Sequence, residues 1–254
     1  MAANDLSVVV TGATAGLGEA IARRFVSEGA RVVATGRRAD RLNALAAELG
    51  PERCLPLALD VRDRRAVLEA FDNLPAPFSA PDVVVANAGL ALGLEPAHAV
   101  DLDDWDTMVD TNIKGLLYTV RSLLPGMVER RRGHVLTIGS VAGDYVYPGG
   151  NVYGASKAFV KQFALGLRAD LKKTGVRVTN IEPGMTETEF SLVRFKGDHE
   201  TAQSKYRGTV SLTADDIAET VFWAATLPPH VNINRLQVMP VSQSFNGLST
   251  DRSE

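Results

Sequence analysis

The chain has 254 residues, 45% of them hydrophobic, with 22 glycines and a formal net charge of −3. That length supports one large core, and a faintly acidic chain is a poor match for nucleic acid or an anionic membrane surface. A single cysteine excludes an internal disulfide and a cysteine metal cluster, no apolar run approaches the ~20 residues that span a bilayer, and the first residues carry no signal-peptide pattern, so one cytoplasmic domain over residues 1–254 is expected.

The apolar run Leu6 to Val10 reads as a strand and leads into Thr11-Gly12-Ala13-Thr14-Ala15-Gly16-Leu17-Gly18. A helical pattern follows at once, with Ile21, Ala22, Phe25 and Val26 on one face and Gly29 as its stop. A strand, a glycine turn and a helix let the backbone approach a pyrophosphate, whose charge meets free N–H groups and the positive end of the helix dipole. Taken alone, such a turn could equally be a tight connection. The second strand, Arg31 to Thr35, ends in Gly36-Arg37-Arg38. No acid stands there to receive ribose hydroxyls, and two guanidiniums can clasp a 2′-phosphate with charge-assisted hydrogen bonds. Positive charge near a helix start also opposes the dipole unless an anion is present, which disfavours two idle surface arginines.

Further strands are expected at Cys54 to Leu59, just before Asp60 and Val61, and at Asp82 to Ala86, just before Asn87-Ala88-Gly89. Cys54 should be buried. Arg130-Arg131-Arg132 suits a solvated helix C-terminus. His134 to Gly139 reads as a buried strand, which puts the Ser140 hydroxyl at a strand's carboxyl end, where open α/β sheets keep their sites. Tyr153-Gly154-Ala155-Ser156-Lys157 follows with helical character, so Tyr153 and Lys157 share a face. A phenol loses its proton near pH ~10, and an adjacent ammonium should lower that value. Tyr-x-x-x-Lys alone also fits an ordinary amphipathic helix; the serine strengthens the chemical reading.

Val176 to Ile181 gives a sixth strand and leads to Pro183-Gly184. Residues 184–212 then break the rhythm as a long loop, expected to be a lid over substrate. A helix begins near Thr213, whose hydroxyl can cap it, and Arg235 to Met239 completes about seven strands. The polar tail 241–254 would be loose in a monomer. Strands alternating with helices predict an α/β fold, a doubly wound parallel sheet with helices on both faces. His98, His134, His199 and His230 have no metal-ligand spacing, and no metal is expected.

The spacing Gly-x-x-x-Gly-x-Gly, with Asn87-Ala88-Gly89, Asn112, Ser140, Tyr153, Lys157 and Pro183-Gly184 in that order, resembles the short-chain dehydrogenase/reductase superfamily from about residue 6 to 240. The resemblance implies a Rossmann-type single domain, a nicotinamide cofactor and reversible hydride transfer at a carbonyl carbon. It implies that Tyr153 exchanges a proton with substrate, Lys157 binds the nicotinamide ribose, Ser140 hydrogen-bonds the substrate oxygen, and the Asn112 main chain anchors a proton-relaying water. It places Asp60 and Val61 against adenine, and Gly12, Thr14, Gly16, Leu17, Gly18, Asn87, Gly89, Pro183, Gly184, Thr186 and Thr188 along the cofactor cleft. With Arg37 and Arg38 the expected cofactor is NADP. Many NADP-dependent relatives carry another basic residue inside the glycine turn, where this chain has Ala15.

The C-terminal third is more specific. Ile181-Glu182-Pro183-Gly184, Thr188-Glu189-Phe190-Ser191, Val193-Arg194-Phe195-Lys196-Gly197-Asp198 and Leu227-Pro228-Pro229-His230-Val231-Asn232-Ile233-Asn234 are similar to the NADP-dependent 3-hydroxy acid dehydrogenase group, which includes serine 3-dehydrogenases and malonic semialdehyde reductases. That likeness implies a small 3-hydroxy acid substrate of the L-allo-threonine, serine, 3-hydroxyisobutyrate or 3-hydroxypropionate type, and a homotetramer. Met185-Thr186-Glu187 departs from the group's wording. Arg194 is the candidate partner for a substrate carboxylate, since its fork can donate two parallel hydrogen bonds. The alternatives are a reductase of another ketone or of a 3-oxoacyl thioester, and a noncatalytic NADP-binding scaffold or sensor. Val238-Met239-Pro240-Val241 disfavours the thioester, whose reductases usually end the last strand in a Val-Asp-Gly-Gly type sequence. The intact Ser140, Tyr153, Lys157 and Asn112 set disfavours the scaffold.

Overall fold

A computed structural model describes residues 6–245 and 248–252. Its strands are β1 (Ser7–Thr11), β2 (Arg31–Gly36), β3 (Cys54–Ala58), β4 (Val83–Ala86), β5 (Gly133–Ile138), β6 (Val176–Pro183) and β7 (Arg235–Val238). All neighbours pair in parallel, in the order β3-β2-β1-β4-β5-β6-β7. This is the doubly wound α/β sheet expected from the alternating pattern. The strands differ from expectation by a residue or two for local reasons. Asp82 precedes β4, where its backbone still bonds to Ser7 and His134 and its carboxylate accepts the Ser7 N–H at 3.1 Å and pairs with Arg132 at 3.0 Å. β6 continues to Pro183 because β7 pairs with it as far as Val238.

Successive strand residues point to opposite faces, so near-continuous apolar strands supply two cores at once. Val8 and Val10 of β1, Val32 and Ala34 of β2, and Leu136 and Ile138 of β5 pack on one side; Val9, Val33 and Val135 pack on the other. The first side is covered by α1 (Gly16–Ser27), α2 (Ala39–Leu49) and a later helix, Ala214–Thr226, and the second by α3 (Arg64–Asp72), α5 (Leu116–Glu129) and α6 (Asn151–Asp170). Between them α4 (Leu102–Val109) runs through a π-helical turn, Asp110–Gly115, into α5. α1 lies against Ala214–Thr226 with the Phe25 and Phe222 rings edge to face at 5.4 Å. As expected, Thr213 caps that last helix: its hydroxyl accepts the Asp216 N–H, while the Asp216 carboxylate accepts the Thr213 N–H.

The arginine run stands exposed at the end of α5, as expected, and its side chains also tie down neighbours: Arg130 donates to the Pro81 carbonyl at 2.8 Å, Arg131 to that of Lys173 at 3.0 Å, and Arg132 pairs with Asp82. Two expectations need correction. Residues 184–212 are not a structureless loop. They hold α7 (Phe190–Arg194) and α8 (His199–Ser204), the latter capped by Asp198, so that Ala214–Thr226 becomes α9. The segment is also closed at its base, where Thr186 bridges to Leu212: the Leu212 carbonyl accepts the Glu187 N–H at 2.8 Å and the Leu212 N–H donates to the Met185 carbonyl at 3.0 Å. Nor is the tail loose: Gln243 accepts the Met185 N–H at 2.8 Å and Arg252 donates to the Arg207 carbonyl at 2.7 Å. Residues 1–5, 246, 247, 253 and 254 lie outside the described residues, and with them parts of the expected domain and tail.

Phe25 is fully buried at the seam between α1 and α9. Phe25→Ala is expected to lower unfolding stability by about 3–5 kcal/mol, because the surrounding helices cannot close over the lost ring. Urea denaturation of wild type and variant measures it.

Candidate active site

Parallel strands end on one edge, and there a cavity of about 640 Å³ opens, lined from the glycine turn to the segment after β6. Gly12 and Gly16 have φ of +71° and +55°, a conformation that L side chains rarely adopt. Gly18 is needed for space: a Cβ there would lie 2.3 Å from the Gly12 carbonyl oxygen. The strand-turn-helix unit is therefore held closed by its own glycines. Asn87 supports the turn from β4 by donating to the Thr11 carbonyl at 2.8 Å.

Most of the residues singled out from sequence converge on this cavity. Gly12, Thr14, Gly16, Leu17, Arg37, Arg38, Asp60, Val61, Asn87, Gly89, Ser140, Tyr153, Lys157, Pro183, Gly184, Thr186, Thr188 and Arg194 line it. Gly18 and Asn112 do not. Gly18 is inside the turn, and Asn112 is 2% exposed behind the wall, where its amide exchanges hydrogen bonds with the Leu90 backbone and donates to the Ser156 hydroxyl at 3.0 Å.

Ser140 follows β5, and its oxygen accepts the Ala142 N–H at 3.1 Å, which anchors the turn. Tyr153 and Lys157 project from the first turns of α6. The Lys157 ammonium is 5.8 Å from the Tyr153 ring centroid and donates to the Ile138 carbonyl at 2.8 Å. Gly89 leaves it room, since a Cβ would come within 3.4 Å of that nitrogen. Burial pushes the lysine down to about 8. Burial pushes the Tyr153 phenol up to about 12, with Ser140 and Arg194 pulling the other way. Removal from water disfavours the charged form of each group.

Arg194 reaches the same place from α7. Its guanidinium carbon lies 5.0 Å from the Tyr153 ring centroid and 5.6 Å from those of Phe190 and Tyr147, and it donates to the Tyr147 hydroxyl at 2.6 Å. Its buried Nε has no hydrogen-bond partner among the described residues. A cation framed by aromatic faces with donor capacity in reserve suits a small carboxylate. Tyr147 escaped the sequence reading, and Phe190 entered it only as part of the Thr188 to Ser191 segment, with no role at the site.

At the opposite end, Arg38 donates to the Thr14 hydroxyl at 2.7 and 3.1 Å. Arg41, also missed, donates to the Thr14 carbonyl at 3.5 Å and to both carboxylate oxygens of Glu189 at 2.9 Å. The glycine turn thus receives positive charge from α2, which answers for the missing basic residue at Ala15. Burial would raise the Glu189 carboxyl, but Arg41 and Arg38 outweigh it and hold it below its ordinary value. Asp60 is engaged by Arg62 at 2.7 Å. Among the described residues no group of His, Cys, Asp and Glu could hold a metal.

Beneath the site, Glu182 is 1% exposed and pairs with Arg235 at 2.8 Å; Arg235 also meets Asp144, which follows the Ser140 turn. This network ties the ends of β6 and β7 to the turn that carries the serine.

The lysine gives the site a measurable pH signature. The unfolded chain holds the Lys157 proton up to about 10.5 and the folded chain only to about 8, so over that window the unfolded state binds more protons and stability rises with pH. The rise is on the order of 3 kcal/mol. Cys54, raised from 9.0 to about 11, and Tyr153, raised from 10.0 to about 12, act in the opposite sense from pH 9 upward in wild type and variant alike. Lys157→Met is therefore expected to remove an upward component between pH 8 and 10, read as the difference between wild-type and variant urea denaturation.

Comparison with known proteins agrees with this geometry. The short chain dehydrogenase family matches residues 7–197. The chain is 62% identical over 247 residues to the NADP-dependent 3-hydroxy acid dehydrogenase YdfG of Salmonella typhi, covering 97% of this chain and 99% of that one. It is 54% identical over 246 residues to the serine 3-dehydrogenase of Rhizobium radiobacter, covering 97% and 98%. Among solved structures, the closed form of a serine dehydrogenase complexed with NADP+ superposes with a TM-score of 0.93 at 57% identity, covering 97% of this chain and 99% of that one. With the glycine turn, Ser140, Tyr153 and Lys157 gathered on one sheet edge, the chain belongs to the short-chain dehydrogenase family.

Proposed function

We propose that this protein is an NADP-dependent oxidoreductase that interconverts a small 3-hydroxy acid and its 3-oxo acid or semialdehyde. The observation that carries the reading is the meeting of Arg194 and Tyr153 in one cavity, an anion-binding fork 5.0 Å from the ring of the proton-exchanging residue. The names of its 54–62% identical relatives point the same way.

The residues present fit NADP. Gly12 and Gly16 open the turn to a pyrophosphate, Thr14 with Arg37, Arg38 and Arg41 offers donors for a 2′-phosphate, and Asp60, Val61, Asn87, Gly89, Pro183, Gly184, Thr186 and Thr188 line the intervening wall. When bound, NADP supplies the acceptor or donor of hydride. Tyr153 then gives its Oη proton to the substrate oxygen in reduction and takes one in oxidation. Ser140 donates a hydrogen bond to that oxygen as charge gathers there, an interaction stronger in the transition state than before it. Lys157, charged below about pH 8, offsets negative charge at the phenol and holds the nicotinamide ribose. Asn112 serves the proton relay through its main chain, as the resemblance implies; its side chain is committed to Leu90 and Ser156. Residues 184–212 act as a lid carrying Arg194.

A homotetramer in the cytoplasm, without nucleic-acid or membrane partners, completes the proposal. It rests on the family resemblance, on the net charge of −3, and on exposed Val146, Val241 and Phe245, of which Phe245 packs on Tyr145 beside Val146. Among the described residues no helix is long and apolar enough to cross a membrane.

Initial rates with NADP and NAD across L-serine, D-serine, L-allo-threonine, D-threonine, 3-hydroxyisobutyrate and 3-hydroxypropionate test the function. Turnover of at least one acid with NADP well above NAD is expected, and comparable kcat/KM with the two cofactors would remove the NADP assignment. Tyr153→Phe should lower kcat at least a hundredfold with cofactor affinity retained, the usual range for losing a general acid-base. Arg194→Ala should raise KM for hydroxy acids roughly tenfold or more, as expected for losing charge-assisted hydrogen bonds, and leave neutral alcohols nearly unchanged. Equal losses for both would refute the carboxylate contact.

A further inference from the structure

Glu189 is the carboxylate that meets the arginine pair, and it comes from far along the chain. Its two oxygens each accept from Arg41 Nη1 at 2.9 Å, and one accepts from Arg38 Nη1 at 3.3 Å, across 148 and 151 residues of sequence. Both arginines also bind the glycine turn through Thr14. They stand at the cap and in the first turn of α2, where positive charge opposes the helix dipole and an anion is favoured. Glu189 itself immediately precedes α7, which presents Phe190 and Arg194 to Tyr153.

A 2′-phosphate carries about −1.5 to −2 charges. At these guanidiniums it must either displace the carboxylate or share donors with it, and a like charge nearby weakens binding in both cases. A cofactor with a free 2′-hydroxyl brings no charge to repel, and a carboxylate can accept a hydrogen bond from that hydroxyl. We propose that Glu189 is a specificity-determining residue, an internal anion that opposes the 2′-phosphate at Arg38 and Arg41 and so sets how far the protein prefers NADP to NAD. This rests on the NADP reading above. The residue moderates that preference from the lid side of the cavity, whereas the arginines create it from the sheet side.

Isothermal titration with adenosine 2′,5′-bisphosphate and with adenosine 5′-phosphate isolates the effect from turnover. Glu189→Gln is expected to tighten the bisphosphate at least fivefold and to change the monophosphate less than twofold. Glu189→Ala should do the same, because the effect belongs to the charge. Direct binding of NADPH and NADH, followed by cofactor fluorescence, should show the NADPH-to-NADH affinity ratio rising by a similar factor. An unchanged or weaker bisphosphate affinity would overturn the proposal, as would equal tightening of both nucleotides, which would reflect access to the cleft. The wild-type controls separate the two readings. If wild type binds bisphosphate no better than monophosphate, or if Arg38→Ala leaves that preference intact, the NADP reading of the arginines fails, and with it the role of Glu189.

Discussion

Parallel pairing is the constraint on which the site depends. Seven strands running one way bring all their carboxyl ends to a single edge, and each strand before the last must leave that edge for a helix before the next strand begins. Backbone groups are left without ladder partners there, and side chains from distant segments crowd the same space. The glycines of the first turn, Ser140 after β5 and Pro183 at the end of β6 meet for that reason, although more than 160 residues separate the first from the last. The two valine-rich cores hold the strands in register; the edge above them does the chemistry.

Burial decides the electrostatics of that edge. Lys157 and Tyr153 are both shifted toward their neutral forms, so the phenol is a proton holder and the lysine a weakly held cation. A free carboxylate and a guanidinium brought to the same cavity would shift in the same manner were they not paired. Glu189 is held ionised by Arg41 and Arg38, and Glu182 lies beneath with Arg235. His134, sealed in the sheet with its Nε2 2.8 Å from the Thr179 hydroxyl, is kept neutral by burial.

Much of this was legible in the sequence, because strands and glycine turns are local signals. Alternation of short β-branched runs with helical periods located all seven strands, and Thr213 announced its own helix. The candidate cofactor and catalytic positions were picked out by motif order, and all but Gly18 and Asn112 reach the cavity wall. The remainder depends on long-range contact. Nothing near Glu189 marks it as the partner of Arg41, and Tyr147 and Phe190 acquire meaning only when α7 folds back over α6. The Asp198 cap was a local signal for α8 that the length of the segment obscured. The depth of burial that raises the Tyr153 phenol was not legible either, because sequence proximity reveals a neighbouring charge but not how far both groups lie from water.

Cys54 begins β3 fully buried, with its thiol pushed up to about 11, and it is the one cysteine of the chain. Thiolate is the reactive form, so at neutral pH this sulfur is both shielded and protonated. The native protein therefore offers alkylating reagents a silent background. A cysteine introduced on the outer surface of α8 could carry a fluorophore with the natural sequence otherwise intact, making the segment above the cavity directly observable.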